Sequence, residues 1–266
     1  MIRGRWFALL LGASLTVVLA FLVLPVVAIF TNTGPGRLID SLGDPAARTA
    51  LRLSLETSAI AILVVVVVGT PASYLLATRA FPGRAVVVTL IELPLVLPPA
   101  VAGLGLLAAL GPDGVFGGVL RDAHVQLVLQ TAGVVVALTF VSAPFYVRQG
   151  QAAFGAVERS LLDASRTLGS GEAATFVRVA VPVALPGLFA GLALAWGRAL
   201  GEFGATLMFA GSFPGITQTA PLAIYDRFAT DLPGALALAA ILVAVSAGLL
   251  LAVKLVSRTA VGGAFG

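Results

Sequence analysis

The chain has 266 residues, of which 59% are hydrophobic and only 11% charged, and its mean hydropathy is +1.07. A soluble domain carries about 25% charged residues, so a water-soluble globular fold is excluded; the long apolar runs also exclude a barrel of short alternating strands. With no cysteine and one histidine, His124, the chain holds no disulfide framework, thiolate metal site or Ser-His hydrolase, and a net charge of +4 is no signature of nucleic-acid binding.

The apolar runs predict six membrane-spanning helices. Arg3 and Arg5 precede the first, residues 6–30, which exceeds the roughly 7–15-residue core of a signal peptide and reads as an uncleaved span. Residues 32–48, rich in Gly, Pro and Asp, read as a loop. The second span is 51–77, whose β-branched centre is helical because length, not propensity, decides in lipid. A basic turn at 79–84 leads to the third span, 85–110, which contains Glu92, Pro94, Pro98 and Pro99. Prolines remove backbone donors and kink a helix, so this span is expected to pack against protein or line a cavity. A loop at 111–125 precedes the fourth span, 126–147, which ends near Pro144. Residues 148–181 are polar. The fifth span is 182–210, followed by a loop to 232. The sixth is 234–256, ahead of Arg258 and a short Gly-rich tail.

Spans of about 20 residues or more, rising about 1.5 Å each, cross roughly 30 Å of hydrocarbon. Six crossings place both termini on one face. That face, with the 79–84 turn and the 148–181 segment, carries ten Lys and Arg residues against five on the other. The positive-inside rule therefore makes the termini and the polar segment cytoplasmic. No soluble domain and no internal repeat is evident. The chain divides into an N-terminal span with its external loop (1–49), a main body (50–257) and a tail (258–266).

Within the polar segment, Leu161, Leu162, Ala164, Leu168, Ala173, Phe176 and Val177 are apolar and the gaps are small or charged. The pattern predicts a short amphipathic helix, a break at Gly169-Ser170-Gly171, a second short helix, and Pro182 opening the next span. Such a hairpin is either a solvated connector or a docking surface. Inside the spans, Glu56, Glu92, Arg198 and Glu202 are ionisable, and each costs at least about 2.5–3.5 kcal/mol at the bilayer centre unless it faces protein, water or a partner charge. Glu56 is expected near headgroups. Arg198 and Glu202 are four apart and pair on one helix face; the pair either only satisfies itself or lines the path of a charged solute. Gly197, Gly201 and Gly204 form a small-residue face suited to close helix approach.

Asp163-Ala164-Ser165, three spacers, Gly169, nine spacers and Val179-Ala180-Val181-Pro182 resemble the EAA loop of ABC-transporter permeases. Asp163 stands where that family usually has Glu and Ser165 where it has Ala; Val179 and Val181 replace Ile and Leu. Residues 197–225, with Gly201-Glu202-Phe203-Gly204-Ala205-Thr206-Leu207-Met208 and Thr217-Gln218-Thr219-Ala220-Pro221-Leu222-Ala223-Ile224-Tyr225, look like the molybdate-type members, as do Leu93-Pro94-Leu95-Val96-Leu97-Pro98-Pro99 and Ser142-Ala143-Pro144-Phe145. Sulfate permeases are similar here, but commonly carry Tyr where this chain has Phe203.

The resemblance implies an all-α, six-span type-1 permease fold with a cytoplasmic coupling loop between spans four and five. It implies a subunit that pairs with a second copy, binds two ATP-hydrolysing subunits, and receives molybdate from an extracytoplasmic binding protein in the cell membrane. ATP and Mg²⁺ would sit on the partner. The coupling residues would be Asp163, Ala164, Ser165, Gly169, Val179 and Pro182; Arg198, Glu202, Thr206, Pro94 and Pro98 are the candidates for the path or its gate. No catalytic or metal-binding residue is expected in this chain, and its one lysine, Lys254, precedes Leu255, so it forms no Walker A loop. Rival readings are a permease for sulfate, thiosulfate or tungstate, and a stand-alone ion-coupled carrier.

Overall fold

The computed structural model describes residues 2–264, with the side chains of residues 6–257. It is all-helical among the described residues. Helix α1 (Ile2–Thr31) is followed by a short α2 (Pro35–Gly43) and a long α3 (Pro45–Thr78). The stretch read as a loop at 32–48 is thus mostly helical. Asp44 explains the second start: its carboxylate accepts a hydrogen bond from the Ala46 N–H at 2.9 Å, and Pro45 occupies the first turn, where no donor is needed.

Two spans are broken rather than continuous. The third is α4 (Arg84–Val96) and α5 (Pro99–Leu110), bent by 119°. Pro94 lies within α4 without ending it. The break falls at Leu97 and Pro98, which are both extended, because each precedes a proline and the α conformation is disfavoured there. After the short α6 (Gly117–Asp122), the fourth span is α7 (Thr131–Gly155). It starts and ends later than the hydropathy predicts, so Arg148 lies inside the helix. Arg84 and Val88 share a cleft with Gln151 and Gly155 near the end of α7. Leu110, by contrast, shares a cavity with residues 127–129 just before α7 begins. The α4–α5 pair therefore carries the chain from one end of α7 to the other, and with the five helices each long and apolar enough to cross alone makes six crossings.

The polar hairpin opens with α8 (Arg159–Thr167). The expected second short helix is not separate: α9 (Glu172–Thr175) runs through a π-turn at Phe176–Ala180 into α10 (Val181–Leu200). The Val181 N–H bonds the Phe176 carbonyl, one residue further back than in an α-helix. Widening the turn just before Pro182 eases the clash a proline ring makes with the carbonyl four residues earlier, so Pro182 sits in a continuous helix. The fifth span breaks instead at Gly201–Phe203 and resumes as α11 (Gly204–Ala210). The loop that follows contains α12 (Ala220–Phe228). The last span, α13 (Leu232–Ala264), runs on through the stretch read as a Gly-rich tail.

The core lies where α3, α7 and α10 meet. Glycine permits the closest approaches: a Cβ on Gly69 would lie 2.9 Å from the Tyr146 ring, and one on Gly187 would lie 2.4 Å from Ala153 Cβ. Polar links inside this core are satisfied between helices. Tyr146 Oη and Thr70 Oγ1 are 2.7 Å apart, and Trp196 Nε1 donates to Ser58 Oγ at 3.1 Å. At the end opposite the hairpin, Asp44 pairs with Arg227 of α12. That bond holds the Asp44 carboxyl below its ordinary value, against the opposing effect of burial and with help from the Ala46 N–H.

Candidate functional site: a polar hairpin and a pair of broken spans

The hairpin is rigid by construction. Gly169 has φ +87°, its N–H bonds Arg166 O at 2.9 Å, and the Ser170 N–H bonds Ser165 O at 3.1 Å. This paired pattern is a Schellman termination, which needs a left-handed residue where Gly169 stands. A Cβ there would touch nothing, so the glycine is required by its backbone angle and not by space. Leu162 is buried beneath α8, while Leu161, Leu168 and Val177 are exposed; Leu168, at the turn, is 86% exposed. The turn therefore carries an exposed apolar side chain at its tip.

Of the coupling candidates, Asp163, Ala164, Ser165 and Gly169 come together on α8 and its turn. Val179 and Pro182 do not: they are half-buried in the π-turn and the base of α10. Ser165 Oγ lies 3.0 Å from Thr175 Oγ1, joining the two arms. Asp163 accepts from Arg166 Nη1 at 2.9 Å. Arg166 also faces Glu172 twice, Nε to Oε1 at 3.0 Å and Nη2 to Oε2 at 3.2 Å, and Glu172 is 3.3 Å from Arg79 at the end of α3. Sequence reasoning missed Arg166, Glu172 and Arg79. The Asp163–Arg166 spacing was a legible helical pair; the link to Arg79 had no local signal.

The second site is where the two broken spans abut. A Cβ on Gly204 would lie 2.8 Å from Pro99 Cβ, and one on Gly103 would lie 2.7 Å from both Ala205 O and Met208 Cβ. Of the three glycines expected to form a close face, only Gly204 makes an approach to another helix; Gly197 has open space and Gly201 meets only its own helix. Glu202 sits in the gap, 1% exposed. Its Oε1 accepts from the Ala205 N–H at 2.7 Å, capping α11, and its Oε2 lies 2.6 Å from Arg198 Nη1. The pair expected on one helix face is therefore formed, but across a helix end. Backbone freed from a helix inside a membrane is tolerated only where protein or a water-filled cavity meets it, and Glu202 supplies part of that satisfaction. Thr206 is fully buried, and its hydroxyl has no hydrogen-bond partner. The Phe203 and Tyr225 rings are 4.9 Å apart, bringing α12 to the same place. Pro98 immediately precedes the contact at Pro99; Pro94 lies more than a turn away along α4 and takes no part.

The other acids on spanning helices are paired too: Glu56 with Arg52 at 2.6 Å and Glu92 with Arg148 at 3.7 Å. Arg198 is 28% exposed and Arg148 70% exposed.

Six crossings, two of them broken at a shared point, with a rigid polar hairpin between the fourth and fifth, define a membrane transport subunit. The chain belongs to the family of binding-protein-dependent transport system inner membrane components, whose family model matches residues 69–260. It is 40% identical over 246 residues to the molybdenum transport system permease protein ModB of Mycobacterium tuberculosis, covering 92% of each chain. It is 38% identical over 218 residues to ModB of Escherichia coli, covering 82% of this chain and 94% of that one. Its fold is similar to that of a chain in the crystal structure of a bacterial alginate ABC transporter in complex with its alginate-bound periplasmic protein. The TM-score there is 0.78 at 17% identity, over 97% of this chain and 96% of that one. The fold is thus that of a type-1 ABC importer permease.

Proposed function

We propose that this chain is the permease subunit of an ATP-driven molybdate importer, and that the hairpin around Gly169 is the foothold of a separate ATP-hydrolysing subunit. The observation that carries the docking reading is Leu168, held almost fully exposed at the tip of a Schellman turn. The molybdate reading is supported by relatives at 38–40% identity that are named for molybdenum transport, and by Phe203 following the Gly201-Glu202 pair. The twofold excess of Lys and Arg supports a cytoplasmic hairpin and cytoplasmic termini. In this reading two copies pair, each hairpin seats one ATPase carrying ATP and Mg²⁺, and an external binding protein delivers the anion. Closure of the ATPases draws the hairpins together, and the spans switch as rigid bodies around a path bordered by Arg198, Glu202 and Thr206.

The test is Leu168→Asp in the assembled transporter. A charge at the apolar tip should release the ATPase from the purified permease and abolish molybdate uptake, with membrane insertion unchanged. Full uptake by that variant refutes docking through this surface. Uptake by the permease reconstituted alone would favour an ion-coupled carrier, and stronger competition from sulfate than from tungstate would reassign the cargo.

A further inference from the structure

Arg166 bridges two carboxylates. Nη1 donates to Asp163 on its own helix and Nη2 to Glu172 on the other arm of the hairpin, with Nε 3.0 Å from the second Glu172 oxygen but outside hydrogen-bond geometry. Such a planar fork fixes direction as well as distance, which a single-point cation does not. The chain of contacts continues beyond the hairpin. Glu172 also meets Arg79, the residue that caps α3. Tyr74 of α3, Phe154 of α7 and Phe176 of the π-turn pack edge-on or tilted against one another, with ring centroids 4.9–6.1 Å apart. The buried Tyr74 hydroxyl has no hydrogen-bond partner. Besides the buried Leu162 and the Ser165–Thr175 hydroxyl contact, α8 is thus tied through Arg166 and Glu172 toward the ends of both α3 and α10.

We propose that Arg166 is the positioning residue of the coupling hairpin: it locks α8 to Glu172 and, through Arg79, to α3, so that displacement of the hairpin tip moves α3 and α10 as one body. This rests on the reading of the hairpin as the ATPase foothold. Asp163, at the motif's acidic position, shares its carboxylate with Arg166 while staying 70% exposed. Arg166 acts on transport through the hairpin and meets neither the solute nor ATP.

The experiment compares Arg166→Gln, Glu172→Gln, the double variant and Arg166→Lys in the complete transporter in proteoliposomes. Molybdate imported per ATP hydrolysed is measured alongside retention of the ATPase. With the lock broken, the ATPase should still co-purify, and molybdate per ATP should fall about fivefold, the scale set by losing an interaction of order RT to a few RT. The double variant should fall no further than either single one, because both remove the same contact. Lysine, which keeps the charge and loses the fork, should recover part of the ratio. A wild-type ratio in Arg166→Gln, losses that add in the double variant, or release of the ATPase by Arg166→Lys would each overturn the lock. Leu168→Asp assayed in the same preparations separates the two readings: if it still releases the ATPase, docking stands and only the role of Arg166 falls.

Discussion

Glu202 makes two bonds that one substitution can separate. Glu202→Gln keeps an oxygen for the Ala205 N–H and nearly the same volume, but removes the charge facing Arg198. Removing one partner of a buried pair costs about 3–5 kcal/mol when the charge left behind is fully enclosed. Arg198 is 28% exposed, so its charge is only partly enclosed and the cost should be nearer about 2 kcal/mol. Glu202→Ala also removes the cap on α11, adding about 1 kcal/mol. The reverse substitution is harsher. Arg198→Met strands a carboxylate that is only 1% exposed, so the full range of about 3–5 kcal/mol applies. The double variant Arg198→Met with Glu202→Gln removes both charges, keeps the cap, and should recover most of the loss, since well-packed neutral replacements of buried pairs are often close to neutral. Denaturant titration of the purified permease in lipid nanodiscs gives the four free energies, and vesicle uptake gives transport. If Arg198→Met costs no more than Glu202→Gln, or if the double variant is simply the sum of the singles, the assignment of a buried, mutually dependent pair at the break is wrong.

Gly169→Ala meets no atom but must adopt φ +87°, at about 1–2 kcal/mol; the hairpin should loosen and co-purification of the ATPase should fall while insertion is normal, with Gly169→Asp abolishing uptake. Gly103→Val places a Cβ 2.7 Å from Ala205 O and Met208 Cβ, an overpacking worth about 1–3 kcal/mol, and should be read as lower stability in the same titration, whereas Gly105→Val, at an open position, should not. Asp44 is held below its ordinary 3.8 chiefly by the Arg227 hydrogen bond, so its stabilisation is complete above that value and is lost as pH falls through the depressed one. The stability gap between wild type and Asp44→Asn should therefore be constant from neutral pH to about pH 5 and shrink below it; a gap that widens on acidification contradicts the pairing.

Six crossings were legible because run length and composition report how much chain lipid can accept. Their ends were not, because a helix continues past the bilayer wherever it finds partners: Arg148 remains inside α7 beside Glu92, and α3 begins at Pro45 under the cap of Asp44. Prolines were read as kinks of equal weight. Single ones, Pro71, Pro94, Pro144 and Pro186, are absorbed within helices, while the adjacent Pro98 and Pro99 forbid helix at two successive residues and break the span. The break at Gly201 was hidden because its neighbours are small and apolar, as in any tightly packed span. The hairpin could be read locally, since its turn, its apolar face and its acid are all written within twenty residues of sequence. Its attachment to α3 could not, because Arg79 and Glu172 meet only after two spans have folded between them.

The pairing of charges along the spans bears on cargo handling. Each acid described there has a guanidinium beside it, so these faces present local dipoles rather than isolated negative charges. If the path runs past these faces as proposed, such a conduit passes a dianion without gripping it and leaves discrimination to the protein that loads it.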